Sequence, residues 1–129
     1  MTRPADKAAA AILVLVDDLF FTLKIADTAK HLGFSAHFAS NDVEWDSRLG
    51  VAPPALMIVD LTLSHVDMAD FFARLARDPL QARVPILGYT THADWKRTSP
   101  LHDKCTRVVT KDTLSRSLAE LIRELSQPA

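Results

Sequence analysis

Residues 56–61 read Leu56-Met57-Ile58-Val59-Asp60-Leu61, directly after the chain-breaking pair Pro53-Pro54. A short, unbroken apolar run of this kind predicts a strand buried on both faces, as in a parallel sheet covered by helices. Its last residues carry Asp60 to the strand's end. Working outward, Ile12–Val16 is a second such run, closed by Asp17-Asp18. Phe34–Ala39, Val84–Tyr89 (with Pro85 near its start) and the shorter Thr106–Thr110 complete a set of five predicted strands.

Helical periodicity fills the gaps. Phe21, Ile25, Ala29 and Leu32 share a face over Leu19–Leu32, and Gly33 ends that helix. Ser40 or Asn41 caps a short helix through Leu49, with Gly50 past its end. A helix over Val66–Arg77 turns Phe71, Phe72, Leu75 and Ala76 inward, and Pro79 closes it. Pro100 predicts that the stretch His92–Asp103 holds no helix, or one confined to the residues before Thr98. Leu114, Leu118, Leu121, Ile122 and Leu125 fall on one stripe of a final helix. Strands alternating with helices give an α/β fold with a doubly wound, five-stranded parallel sheet. The domain is expected over 11–126, after a flexible N-terminal segment 1–10 and before a tail at 127–129.

The bulk numbers agree with one globular domain. The chain has 129 residues, 48% hydrophobic and 24% charged, at a net charge of −1. Without a basic excess, direct nucleic-acid binding is not expected. The apolar stretch Ala8–Val16 is too short to span a bilayer and runs into acids where a signal peptide would carry a cleavage site, so no membrane role is expected. A single cysteine, Cys105, fits a reducing cytoplasm and most simply fills a small core position.

Ligands of such sheets gather at the carboxyl ends of the strands. Those ends carry Asp17-Asp18, Asp60, Thr90-Thr91 and Lys111. Crowded carboxylates need a cation, and hard oxygen donors suit Mg²⁺. A lysine and a hydroxyl beside them suit a phosphoryl group, and a carboxylate can itself be the nucleophile.

With these residues in this order, the sequence resembles the receiver (response-regulator, CheY-like) family over nearly its whole length. The resemblance implies the flavodoxin-like (βα)5 arrangement and transfer of a phosphoryl group from a histidine kinase or phosphotransfer protein to an aspartate. Carried over by position, Asp17 and Asp18 match the acidic pair that holds Mg²⁺, together with Asp60, which matches the phosphoacceptor. Thr90, in Pro85-Ile86-Leu87-Gly88-Tyr89-Thr90, matches the switch hydroxyl, and Lys111 the lysine that contacts the phosphoryl group. Such a protein is an acceptor rather than a turnover enzyme. It acts in the cytoplasm and passes its signal to a downstream protein.

Departures from the family cluster in the relay segments. Asp112 follows Lys111 where a proline is usual, Leu61–His65 lacks the proline-glycine turn, Lys104-Cys105 replaces a Gly-Ala pair, and Val108 replaces an aromatic switch residue. The expectation is a receiver with an atypical output surface. Its alternative is a pseudo-receiver, an interaction module that works without phosphoryl chemistry.

A phosphohydrolase of the haloacid-dehalogenase type is disfavoured because Leu19 stands where its second aspartate belongs. A flavodoxin is disfavoured by the lack of a Ser/Thr-rich phosphate loop after the first strand. His31, His37, His65, His92 and His102 show no ligand spacing. His65, just after Asp60, is the one to watch. Leu19, Phe20 and Leu23 exceed what one buried stripe requires, which leaves open a docking surface on the first helix. Trp45 is expected to pack, and Trp95 to pack or to join the output surface.

Overall fold

The computed structural model describes residues 10–49 and 52–126. The expected N-terminal segment (all but residue 10), the tail at 127–129 and Gly50 fall outside the described residues. Five strands, β1 (Ala11–Leu15), β2 (Ser35–Ala39), β3 (Leu56–Asp60), β4 (Ile86–Thr90) and β5 (Arg107–Thr110), form one sheet. Its order is β2-β1-β3-β4-β5, and every pair is parallel. The α/β, doubly wound parallel architecture read from the sequence is the one observed. Helices α1 (Leu19–His31), α2 (Asp42–Arg48), α3 (Met68–Arg77), α4 (Trp95–His102) and α5 (Lys111–Leu125) connect or follow the strands.

Alternation along the strands divides the core in two. Ile12, Val14, Leu56, Ile58, Leu87 and Tyr89 face α1 and α5, where Phe21, Ile25, Leu114, Leu118 and Ile122 meet them. Leu13, Leu15, Met57 and Val59 face the other way, onto Trp45, Phe71, Phe72 and Leu75. Every residue of β3 and β4 is buried, which is why those runs carry no polar alternation. Trp45 is a packing residue, 1% exposed and edge-on to Phe71 at 5.0 Å.

Caps set the helix limits. Asp18, Asn41, Asp67 and Thr110 each accept a backbone N–H with their side chains at the starts of α1, α2, α3 and α5. Gly33 takes φ 86°, the left-handed turn that lets the Phe34 amide reach back to the Ala29 carbonyl at 2.8 Å.

Four expectations need correction. The third helix begins at Met68 rather than Val66, because Asp67 caps it. Ala76 is exposed; Met68, Phe71, Phe72 and Leu75 already fill the buried stripe. Helix α4 runs through Pro100 to His102. The carbonyl that loses its partner at Pro100 belongs to Lys96, an exposed residue, which softens the usual penalty. Lys111 opens α5 instead of ending β5. Among the described residues no helix is long and apolar enough to cross a membrane.

Candidate functional site at the carboxyl edge of the sheet

Asp60 is the last residue of the central strand and is 2% exposed, a charged side chain that the sheet buries at its edge. One oxygen is fixed. Oδ1 accepts from the Thr62 amide at 2.9 Å and from the Thr62 hydroxyl at 2.7 Å. No described residue donates to Oδ2. Across the ladder Asp60 pairs with Tyr89 of β4. The Tyr89 phenol is held well above its ordinary range by burial first, then by the charges of Asp60, Asp18 and Asp17. The three carboxylates therefore share one region, around the buried phenol.

Asp18 caps α1 through Oδ1, which accepts from the Phe21 amide at 3.2 Å. The short link from β1 to α1 brings this cap to the same edge as Asp60. Asp17 is half-exposed, and its Oδ2 lies 3.8 Å from His65 Nδ1. The other ring nitrogen of His65, Nε2, meets the Ser40 carbonyl at 2.6 Å. His65 thus ties the loop after β3 to the loop after β2 and to the acidic pair.

Thr90 ends β4 fully buried, and its hydroxyl lies 3.1 Å from that of Thr98 on α4. Strand alternation turns Thr90 to the face opposite Tyr89. The Lys111 ammonium stands 5.9 Å from the centre of the Phe21 ring, in the range of a cation–π contact. Its charge also contributes to holding the Asp94 carboxyl low, after hydrogen bonds from Arg97 and Thr91. Among the described residues no carboxylate pairs with Lys111.

The donor set suits a hard divalent cation: carboxylate oxygens, with Asp18 and Asp60 each spending one oxygen on a protein donor and keeping another. The carboxylates are neighbours rather than a closed cage. Among the described residues no group of three His, Cys, Asp or Glu side chains is tight enough to hold a metal.

Neither a family sequence model nor a curated protein sequence matches the chain. Solved structures do. The chemotaxis response regulator CheY4 of Vibrio cholerae superimposes with a TM-score of 0.77 at 16% identity, covering 91% of this chain and 98% of that one. A phosphorylated cyanobacterial phytochrome response regulator, RcpA, gives 0.72 at 18% identity over 92% and 94%. The chain has the receiver fold. A structure described as a streptococcal redox sensor evolved from two-component response regulators gives 0.77 at 14% identity, covering 91% of this chain and 51% of that one. Identities at this level carry the receiver fold and leave the chemistry to the site.

Three residues of the receiver edge escaped the sequence reading. Thr62 holds Asp60, Thr98 engages Thr90, and Tyr89 stands beside Asp60 across the ladder. Tyr89 left one signal: a polar-tipped aromatic inside the otherwise apolar run Ile86-Leu87-Gly88-Tyr89. The first helix exposes Leu19, Phe20 and Leu23 at 72%, 60% and 60%, an apolar face next to the acidic edge. Cys105 packs against the sheet, with its thiol pushed up to about 12, first by burial and then by the charge of Asp103.

Proposed function

We propose that this domain accepts a phosphoryl group on Asp60 from a phosphohistidine donor protein, in the manner of two-component receivers. One observation carries the reading: a buried aspartate at the end of the central strand, one oxygen fixed by Thr62, with Asp17 and Asp18 on the same edge. In the transfer an Asp60 oxygen forms the new O–P bond as the donor's P–N bond breaks. The electron pair of that bond returns to the imidazole nitrogen, which takes up a proton. Mg²⁺ held by Asp17, Asp18 and Asp60 would neutralise charge on the phosphoryl oxygens. Lys111 supplies a second cation near that edge by releasing its hold on Phe21, and Thr90 supplies a hydroxyl by rotating from Thr98. The exposed Leu19–Phe20–Leu23 face is the surface on which the donor would dock. The domain is an acceptor in this scheme and turns over no substrate.

The test is direct. Mg²⁺ is titrated against Trp fluorescence or amide NMR shifts, and beryllofluoride or a small phosphodonor is then added. Saturable Mg²⁺ binding followed by shifts around Asp60, both lost in Asp60→Asn, supports the reading. A chain that ignores ion and donor defeats it.

A second reading, a phosphorylation-independent interaction module, is favoured by the present engagement of Lys111 with Phe21 and of Thr90 with Thr98. It expects partner binding to be indifferent to Mg²⁺, donor and Asp60→Asn. A thiol-based redox role gains no support here, since the Cys105 thiol is partly buried and its pKa is raised, first by that burial and then by the charge of Asp103.

A further inference from the structure

Tyr89 poses a packing question that apolar contacts do not answer. The side chain is 0% exposed, and its hydroxyl has no hydrogen-bond partner among the described residues. A buried hydroxyl left in that state carries its full desolvation penalty. Phenylalanine would fill the same space, against Phe21 at a ring separation of 5.4 Å, without that penalty. Packing explains the ring and leaves the oxygen unexplained.

Its location supplies the explanation. Tyr89 is the register partner of Asp60, and paired residues of neighbouring parallel strands project to the same face. The Tyr89 and Asp60 side chains therefore leave the sheet side by side on one face. The charges of Asp60, Asp18 and Asp17 all reach it. A phenol hydroxyl is a hydrogen-bond donor that brings no formal charge to an acidic edge.

We propose that the Tyr89 hydroxyl donates a hydrogen bond to an oxygen of the phosphoryl group carried by Asp60. The inference rests on Asp60 being the acceptor. It adds a neutral donor from β4, on the α1–α5 face, to the ammonium of Lys111 and the hydroxyl of Thr90. It also gives the Tyr89 hydroxyl a partner that the described residues do not supply.

Tyr89→Phe removes the oxygen and keeps the ring, so the fold is retained. In the full chain at saturating Mg²⁺, the substitution should weaken beryllofluoride binding about tenfold, the scale of one hydrogen bond to a charged group. The ¹⁹F resonances of the bound fluoride should shift, a change that loss of packing alone would not produce. Mg²⁺ affinity without fluoride should stay within about twofold. Equal beryllofluoride affinity and unchanged ¹⁹F spectra in the two proteins would overturn the inference and leave the Asp60 reading intact. A matching loss of Mg²⁺ affinity would place the hydroxyl on a carboxylate instead and also overturn it. If the wild-type chain binds no beryllofluoride and behaves as Asp60→Asn does, both readings fall together.

Discussion

Thr98 brings its hydroxyl within 3.1 Å of the Thr90 hydroxyl, and the two residues are buried, at 1% and 0% exposure. The Thr98 oxygen also lies 2.9 Å from the Asp94 carbonyl and 3.0 Å from His102 Nε2. One proton cannot serve every neighbour. When it goes to Asp94, the shared bond requires the Thr90 hydroxyl to donate, which occupies that hydroxyl on the α4 side.

Thr98→Val keeps the shape and deletes that oxygen. The folded state should lose about 1–2 kcal/mol, the range for a buried hydrogen bond whose partner is left unpaired. Urea unfolding measures it. Beryllofluoride affinity in the same protein should rise, because Thr90 is then free to rotate; a fall would show that Thr98 positions Thr90 rather than restraining it.

Lys111 is placed between two uses. Replacing it with glutamine removes the contact with Phe21 at a cost of about 0.5–1 kcal/mol in stability. If the ammonium also serves the phosphoryl group, phosphodonor uptake should drop by a factor of ten or more, about the size expected when a charge-assisted hydrogen bond is lost. Lys111→Arg keeps the charge and should recover most of the stability. Uptake unchanged in Lys111→Gln would remove this residue from the site.

Gly88 is closely packed within β4. A Cβ there would come within 2.8 Å of Cys105 Sγ and 3.1 Å of Leu61 Cδ1. Gly88→Ala should therefore destabilise by about 1–3 kcal/mol through overpacking. Adding Cys105→Ala should restore part of the loss, since it removes the nearer of the two atoms. Additive losses in the double variant would mean that Leu61, or the strand itself, sets the limit.

Stability at alkaline pH should report on the same region. Burial raises the Cys105 thiol from 9.0 to about 12 and also raises the Tyr89 phenol. For each group the folded chain holds its proton after the unfolded chain has released it. The contribution is complete below the unfolded pKa and is lost as pH climbs towards the folded one. For Cys105 that window opens at pH 9.0 and closes at about 12. Urea midpoints should fall through it, and both Cys105→Ala and Tyr89→Phe should flatten the fall. Curves parallel to wild type would show that neither group carries the effect.

The central strands were legible because they are apolar on both faces, as Leu56–Val59 shows, and Phe21, Ile25 and Ala29 lie at the spacing of the buried stripe of α1. The residues at the strand ends were equally plain, since a parallel sheet brings Asp17, Asp18 and Asp60 to one edge once their strands are known. Cross-strand neighbours were harder to see. Tyr89 becomes Asp60's neighbour only through the β3–β4 register, which depends on both strands at once and leaves no mark on either. Thr98 was obscured by Pro100, because the rule that proline ends a helix takes no account of whether water can serve the abandoned carbonyl. Lys111 read as a strand end because the Thr110 cap that starts α5 is a matter of side-chain geometry.

Helix α4 has one buried residue, Thr98, and one further apolar contact with the core through the partly buried Leu101. The other four helices are anchored by buried apolar side chains such as Phe21, Trp45, Phe71 and Leu114. Hydrophobic anchorage loosens in proportion to the area exposed, whereas a polar anchor has two conditions, bonded or not. Detaching α4 would take no buried apolar side chain out of either half of the core, so the cost of releasing this segment falls mainly on its polar contacts.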